Sequence, residues 1–380
     1  MRTLGRFPSR RPGYGRRDPM LWAPLVLTAV LGLLAFLTPP QVPFTRLLPA
    51  APALAASLWS VAATLALGVV CLLGVVAYAL FTDHDGTFYT AGAIAAVTLA
   101  AAYASHLRLQ REDTLAEVRA VADTTQRVLL RPVPRRIGCL EIETLYVAAA
   151  PQARVGGDFY AVVDTAYGVR LIIGDVRGKG LDAVGVASAV LGSFREAAYD
   201  APDLGGLARR LDTTVGRYEA TVPGPDSPEL FATAVLAEIP ARGTHARILS
   251  CGHPPVLLTH DGRVRSLTPR TSSPPINLAT LLGGAYHVEE VPFAAGDQLL
   301  LYTDGVTETR DGDGEFFPLA VWAGERTSVP PRPLLDHLYR ALLRHGGGKL
   351  DDDIAVLAVR TTPPTTPRAT PEAGVAAPGG

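Results

Sequence analysis

The longest uncharged stretch of this chain, residues 47–81, limits what it can fold into more than any other feature. As one unbroken helix it would be about 50 Å long, well over the ~30 Å hydrocarbon core of a bilayer. Two further uncharged runs flank it, residues 21–38 and 89–105. Runs of this length and apolarity are typical of segments that cross a membrane. The sequence therefore predicts an α-helical transmembrane domain over residues 20–105.

The distribution of basic residues predicts how the spans are oriented. Six arginines and one aspartate precede Leu21, and His106, Arg108, Arg111 and Arg119 follow the last run. Because basic segments stay on the cytoplasmic side, both ends are expected inside, which requires an even number of spans. We expect a basic cytoplasmic N-terminus over residues 1–19 and an arginine-free outer loop at 82–86. The expected protein is multi-pass in the cell membrane, with about four helices at residues 20–38, 47–60, 62–81 and 88–105.

Composition and cysteine placement exclude other classes. Lys+Arg 35 against Asp+Glu 36 gives a net charge of -1, which excludes a whole-chain nucleic-acid binder driven by phosphate neutralisation. The three cysteines have neither disulfide nor zinc-site spacing, and they predict a reducing compartment for the soluble part. A cleaved signal peptide is the competing interpretation of the first apolar run. The further runs, and the absence of a small-residue cleavage site before Pro39, argue against it.

Residues 106–131 form a predicted helical linker. Apolar or small residues recur at a spacing of three and four, at Leu115, Val118, Ala122, Thr125 and Leu129. This spacing fits one face of a helix and leaves two interpretations open. One is a short dimerising coil over residues 107–129, which would make the protein a homodimer; the other is an amphipathic segment lying on the membrane. Prolines 132 and 134 are expected to end the helix.

After residue 132 the pattern changes to short β-rich segments interrupted by helical ones. Strands in hairpin-like runs, rather than in strict βαβ alternation, favour an α+β sandwich over a doubly wound sheet. We expect this domain over residues 132–360 and a disordered Pro/Thr/Ala/Gly-rich tail over residues 361–380. Predicted strands occupy residues 145–149, 169–173, 233–238, 247–250, 298–302 and 354–359, and predicted helices 182–199, 203–217 and 333–344.

Asp158, Asp175, Asp304 and Asp352 share one sequence environment. Each stands at the end or edge of an apolar strand, beside glycine or another acid. A carboxylate there borders a low-dielectric core and is costly unless it is paired, so the four together predict a site for hard cations, although each alone is more typical of a turn. Oxygen ligands suit Mg²⁺ or Mn²⁺, and two such ions ~3.5–4 Å apart activate water and clamp a phosphoryl group. The set therefore points to phosphate-ester hydrolysis.

These motifs, in this order, resemble one family: the metal-dependent PPM-type protein phosphatases, in the SpoIIE-like branch. The resemblance spans roughly residues 129–360 and implies an α-β-β-α sandwich phosphatase domain in the cytoplasm. The strings that carry it are Gly156-Gly157-Asp158-Phe159-Tyr160, Gly174-Asp175-Val176-Arg177-Gly178-Lys179-Gly180-Leu181, Phe231-Ala232-Thr233-Ala234, Cys251-Gly252-His253-Pro254-Pro255, Tyr302-Thr303-Asp304-Gly305-Val306-Thr307-Glu308 and Asp352-Asp353-Ile354.

The resemblance implies a role for each acidic position. Asp175 would bridge two Mn²⁺ or Mg²⁺ ions, with Asp158 and the Val176 carbonyl on one ion and Asp304 with Asp352 on the other. Asp175 and Asp304 are the residues expected to carry catalysis. The implied reaction is attack of water, activated by the two ions, on phosphoserine or phosphothreonine of a protein, without a cysteine nucleophile. The substrate implied for this branch is an anti-sigma-factor antagonist or a similar signalling protein.

Five positions have less certain roles in this scheme. Asp353 would stand behind the ligands or share the last ligand role with Asp352. The general acid stays unassigned, because Ala161 stands where members of the family often carry Asp and Lys179 where many have His. His253 is interpreted as held by structural hydrogen bonds. Arg177 is a candidate substrate contact.

Competing functions come from three other classes. A pseudophosphatase would keep the fold as a membrane signalling or docking protein without turnover. A small-molecule phosphatase would act on lipid-linked or soluble phosphates. The string Gly156-Gly157-Asp158-Phe159 also occurs in diguanylate cyclases, but the other acidic motifs have no place in that interpretation. Whether the membrane part senses a signal or only anchors the enzyme is left open.

Overall fold

A computed structural model describes residues 19–38, 44–81, 87–148, 156–221, 230–241 and 244–362. Most of the predicted basic N-terminus, the predicted outer loop 82–86 and most of the predicted tail lie outside these residues. The chain divides into two compact units, residues 1–118 and 119–380.

The first unit is helical. Short 3₁₀ turns at Pro19–Trp22 and Phe44–Leu47 accompany helices α1 (Ala23–Leu37), α2 (Ala50–Leu58) and α3 (Val61–Phe81), and α4 (Thr87–Leu129) begins here. Three segments are long and apolar enough to cross a membrane: Met20–Leu37, Val61–Leu80 and Phe88–Leu115. Gly68 on α3 lets α4 approach closely, because a Cβ there would lie 2.1 Å from the Thr98 side chain.

The second predicted span, residues 47–60, differs from what the structure contains. α2 has nine residues and is therefore ~14 Å long, less than half the thickness of the hydrocarbon core. It ends at Leu58, close to the predicted boundary between the second and third spans, and Trp59 adopts an extended conformation. Arg108 and Ser105 donate hydrogen bonds of 2.8 and 2.9 Å to the Trp59 carbonyl, which the break in the helix leaves without an intrahelical partner. Three spans would place the two ends of this unit on opposite sides of the membrane, whereas the basic residues predict both ends on the cytoplasmic side. The number and orientation of the spans therefore stay predictions.

The predicted linker is not a separate element. α4 continues without interruption from the third apolar run to Leu129, over 43 residues. The chain leaves the helix just before Pro132, as expected from the missing amide hydrogen of proline.

The second unit is built on two antiparallel sheets. One has the order β1-β2-β11-β10-β7-β8, and the other has the order β3-β4-β5-β6-β9. The strands are β1 (Arg136–Ile137), β2 (Leu140–Val147), β3 (Phe159–Thr165), β4 (Gly168–Val176), β5 (Ala232–Ile239), β6 (His245–Cys251), β7 (Val256–His260), β8 (Arg263–Leu267), β9 (Glu289–Pro292), β10 (Gln298–Tyr302) and β11 (Ile354–Thr361). The helices are α5 (Leu181–Asp200), α6 (Leu204–Glu219), α7 (Ala279–Leu282), α8 (Asp304–Thr307), α9 (Leu319–Gly324) and α10 (Pro331–His345).

Side chains that alternate between the two faces of the central strands form the two hydrophobic cores of this unit. On β11, Ala355, Leu357 and Val359 join the larger core, which lies between the sheets and also includes the buried faces of α5 and α6. Ile354 and Val356 face the other way, into a second core with α9 and α10. Because strand side chains alternate between faces, one strand serves both cores. The predicted α-β-β-α sandwich is confirmed.

Candidate active site

The four predicted aspartates converge because antiparallel neighbours bring opposite strand ends together. Asp158 directly precedes β3, whose first residue pairs with Gly174, next to Asp175 near the end of β4. Asp304 follows β10, and Asp352 lies just before β11, the antiparallel neighbour of β10. Two pairs of strand ends, one from each sheet, therefore meet at one end of the sandwich.

Thr303 connects the two sheets at this end. Its hydroxyl donates a 2.6 Å hydrogen bond to Asp158 Oδ2 and accepts one of 2.9 Å from the Ala355 amide. The Thr303 amide in turn donates to the Ala355 carbonyl. Both Thr303 and Asp158 are buried, so these bonds are shielded from water and hold Asp158 in one orientation. Sequence reasoning missed Thr303; its only signal was a hydroxyl residue directly before Asp304.

The neighbouring aspartates 352 and 353 have different surroundings. Asp353 is buried, and its Oδ2 accepts hydrogen bonds from the Tyr146 hydroxyl at 2.9 Å and the Gly156 amide at 3.1 Å. Asp352 is half-exposed, and both of its carboxylate oxygens lie 3.0 Å from Lys179 Nζ. The structure therefore anchors Asp353 within the domain and places an exposed cationic partner, Lys179, beside Asp352.

Two glycines allow the loop before Asp158 to pass through this crowded region. A Cβ on Gly157 would lie 2.7 Å from the Val176 carbonyl oxygen, and one on Gly156 would lie 2.5 Å from Asp353 Oδ2. Gln126, in the last turn of α4, is buried and donates to the carbonyls of Gly156 and Asp158 at 3.3 and 3.2 Å. The backbone around Asp158 is therefore held from both sides.

The loop after β4 carries the remaining charged groups. Gly178 and Gly180 adopt φ angles of +104° and +96°, which glycine tolerates readily, and the chain then enters α5 at Leu181. Lys179 stands between them. Arg177 is exposed and its guanidinium lies 5.2 Å from the centre of the Phe231 ring, so it is available at the rim of the site.

Burial and mutual repulsion dominate the electrostatics. Burial, followed by the charge of Asp175, holds the pKa of Asp158 well above its usual range. Burial and then the charges of Asp304 and Asp352 raise the pKa of Asp175 to about 7. The pKa of Asp304 is raised for the same reasons, with burial first and Asp352 next. The four carboxylates therefore repel one another in a poorly solvated place, where added positive charge would stabilise them.

The donor set fits divalent cations by its chemistry. All its side-chain donors are carboxylate oxygens, with the Val176 carbonyl beside them, and hard cations such as Mg²⁺ and Mn²⁺ prefer this set. Among the residues that the structure describes, no group of three or more Asp, Glu, His or Cys side chains is already drawn together tightly enough to enclose an ion. The site residues therefore stay predictions, supported by their convergence and mutual repulsion.

The cysteines lie apart from this chemistry. Cys251 is buried, and burial raises the pKa of its thiol far above the usual range, so it stays protonated and unreactive. His253 is also buried, with one ring nitrogen 2.9 Å from Thr233 Oγ1 and the other 3.1 Å from the Tyr302 carbonyl oxygen. The predicted structural hydrogen bonds of His253 are confirmed.

Two antiparallel sheets, with helices on their outer faces and aspartates gathered at one end, define a phosphatase domain of the PP2C type. More narrowly, the chain belongs to the SpoIIE family, described as stage II sporulation protein E, whose model matches residues 165–362, just over half of the chain. The family consists of metal-dependent serine/threonine phosphatases of the PP2C type. The match begins after Asp158, so that residue lies outside it.

Solved structures share the fold. The RsbU and RsbW domains of Rv1364c from Mycobacterium tuberculosis are 27% identical, with a TM-score of 0.50 over 60% of this chain and 61% of that one. The SiaA PP2C domain of Pseudomonas aeruginosa is 20% identical, with a TM-score of 0.53 over 67% of this chain and 98% of that one. The catalytic domain of the phosphatase PstP, solved with two manganese ions, is 17% identical, with a TM-score of 0.44 over 59% and 99%. At 61%, this chain covers less than two thirds of the M. tuberculosis chain in that solved structure.

Proposed function

We propose that this chain is a membrane-anchored protein phosphatase that hydrolyses phosphoserine or phosphothreonine at the end of the sandwich where Asp158, Asp175, Asp304 and Asp352 meet. The observation that carries the proposal is this convergence: four carboxylates from two sheets meet in a partly buried place, where burial and neighbouring charges raise the pKa values of Asp158, Asp175 and Asp304. Such crowding costs free energy unless cations offset it, and active sites are where such costs are found.

In the proposed site, Asp175 lies centrally and would contact two Mn²⁺ or Mg²⁺ ions. Asp158 and the Val176 carbonyl would hold one, and Asp304 with Asp352 the other. When bound, the ions would neutralise the carboxylates, activate water and counter the charge of the phosphoryl group. The protein's own contribution is to fix the donors: Thr303 orients Asp158, and the anchored Asp353 fixes the start of β11 beside Asp352.

Lys179 supplies the nearest positive charge among the described side chains of the site. Its amine contacts both oxygens of Asp352, and it stands between Gly178 and Gly180. If Asp352 held a cation, Lys179 would be free to contact a phosphate oxygen of the substrate. Arg177, on the same loop, is a second candidate for contacting the substrate.

The proposed substrate is a phosphorylated signalling protein, and the family branch favours an anti-sigma-factor antagonist. The M. tuberculosis relative supports this choice, because its structure holds an RsbU domain with an RsbW domain. Three apolar helices support the membrane anchor. We also retain the proposal that residues 107–129 form a homodimer contact, since they lie on one continuous helix.

The enzyme proposal is tested with full-length protein in lipid nanodiscs. Replacing Asp175 or Asp304 by Asn should lower Mn²⁺-dependent hydrolysis of p-nitrophenyl phosphate at least ~100-fold, because each loss removes several kcal/mol of charge stabilisation in the transition state. Asp164→Asn, an exposed aspartate on β3, is the matched control and should retain parental activity. Equal activity in all four proteins, or none in the parent under any metal, would refute turnover at this site and favour a pseudophosphatase.

Substrate class needs a second measurement. A phosphoproteome comparison between cells with and without the gene should show one or a few phosphoserine or phosphothreonine sites that accumulate without it. A small-molecule phosphatase predicts no such sites, together with faster turnover of soluble phosphoesters than of any phosphoprotein.

A further inference from the structure

Residues 252–255 carry the chain from one sheet to the other. β6 of the five-stranded sheet ends at Cys251, and β7 of the six-stranded sheet begins at Val256. Gly252 adopts a φ of +67°, which starts the crossing, and Pro254 and Pro255 restrict the rest of it. His253 is therefore placed between the sheets by the crossing itself, and only 7% of its surface is exposed.

The imidazole of His253 bonds to both sheets. Nε2 lies 3.1 Å from the Tyr302 carbonyl oxygen on β10, and Nδ1 lies 2.9 Å from Thr233 Oγ1 on β5. A carbonyl can only accept, so Nε2 donates to it. Burial lowers the pKa of His253 to about 4, so the ring is neutral near pH 7 and Nδ1 accepts from the Thr233 hydroxyl.

Both anchors of His253 adjoin proposed site residues. Thr233 is the cross-strand partner of Asp175 on β4. Tyr302 is two residues before Asp304, at the last position of β10. One side chain thus joins the strand beside Asp175 to the strand that delivers Asp304.

The other connections at this end hold a different part of the site. Thr303 bonds to Asp158, and Asp353 bonds to the Gly156 amide, so both fix the loop that precedes β3. The two hydrogen bonds of the His253 ring, by contrast, join β5 directly to β10.

We propose that His253 is a positioning residue of the proposed site, which sets the separation between Asp175 and Asp304 so that both can act on the same pair of cations. The inference rests on the proposed phosphatase function. It differs from a purely structural role in one respect: loss of the imidazole bonds should weaken cation binding more than it weakens the fold. Partners that orient metal ligands are typically worth 10–100-fold in metal affinity or activity.

The test measures Mn²⁺ binding directly, by electron paramagnetic resonance of free Mn²⁺ titrated into full-length protein in nanodiscs. We expect His253→Ala to raise the half-saturating Mn²⁺ concentration ~10-fold or more. His253→Gln keeps a donor within reach of the Tyr302 carbonyl and should recover part of that loss. Thr233→Val removes only the other hydrogen bond and should give an intermediate shift.

A core variant separates positioning from general destabilisation. Leu207→Ala empties a fully buried position in the first turn of α6, which carries none of the proposed site residues, and should lower the unfolding temperature without changing Mn²⁺ binding. The inference about His253 would be overturned if His253→Ala bound Mn²⁺ as tightly as the parent. It would also be overturned if Leu207→Ala, at the same loss of stability, raised the half-saturating Mn²⁺ concentration as much as His253→Ala does. Either result would leave the proposed phosphatase function standing. A parent that binds no Mn²⁺ would overturn the proposed function and this inference with it.

Discussion

The pair Arg170 and Glu238 offers a quantitative test of how the five-stranded sheet is held at the end away from the aspartates. Arg170 on β4 is completely buried, and Glu238 is its cross-strand partner on β5. Arg170 Nε donates to Glu238 Oε2 at 2.8 Å, and Nη2 lies 2.6 Å from the same oxygen, close enough for an ion pair but without hydrogen-bond geometry. Nη1 donates to the carbonyls of Ala198 and Ala201, where α5 ends.

Glu238→Gln keeps the shape of the side chain and removes its charge. The buried guanidinium of Arg170 then has no anion, and breaking a buried pair in this way costs about 3–5 kcal/mol. Arg247 also contacts Glu238, at 2.6 Å, but it is 44% exposed and is solvated without its partner. Arg247→Ala should therefore cost only about 0–1 kcal/mol.

The assay is calorimetric unfolding of the full-length protein in nanodiscs at neutral pH. For a unit of this size 1 kcal/mol corresponds to ~2–4 °C, so Glu238→Gln should lower the apparent unfolding temperature of the second unit by ~6–20 °C. Arg247→Ala, the matched control, should lower it by less than ~4 °C. Equal losses in the two variants would refute the claim that burial, rather than the number of contacts, decides the cost.

Two further predictions concern other parts of the domain. Gly305→Ala should abolish Mn²⁺-dependent turnover, because its Cβ would lie 2.0 Å from the Asp353 carbonyl oxygen. Gly312→Ala is the control and should be neutral, because a Cβ there would have nothing within 4 Å. A fully active Gly305→Ala would contradict this geometry. The pKa of His260 is raised, first by its hydrogen bond to Asp297 and then by that residue's charge, so protonated His260 stabilises the fold. Its contribution is complete below the usual pKa of about 6.5 and is lost as pH rises through the raised value, so the difference in unfolding temperature between parent and His260→Ala should shrink over that interval. A difference that does not change with pH would contradict the assignment.

Central strands could be predicted from the sequence because their burial is continuous. Residues 169–173, 298–302 and 354–359 are apolar on both faces apart from Arg170 and Gln298, and the structure buries each of them in β4, β10 and β11. The edge strands β8 and β9 carry little such signal, since they are largely exposed and rich in Arg and Glu. Their existence depends on pairing with β7 and β6, which is tertiary information.

In the membrane part, the sequence predicts the apolar segments but not where their helices end. The absence of charge in residues 47–81 predicts an apolar segment, but it does not indicate where a helix within that segment ends. Pro49 and Pro52 stand at the start of α2, and the helix ends after Leu58, so the segment is too short to cross a bilayer alone. The number of spans stays a prediction, whereas Val61–Phe81 agrees with the predicted third helix within one residue at its start.

The choice between Asp352 and Asp353 could not be made from the sequence, because both precede the same strand. Alternation decides which way each carboxylate points. Asp353 is two residues before Ala355 and therefore faces the same way, between the sheets. There its Oδ2 accepts hydrogen bonds from the Tyr146 hydroxyl and the Gly156 amide. Asp352 Oδ1 accepts a 2.9 Å hydrogen bond from the Asp353 amide, and its only charged side-chain partner among the described residues is the exposed Lys179, a contact that a cation can replace at little cost. The proposed ligand is therefore Asp352, and Asp353 is the neighbour that fixes its strand.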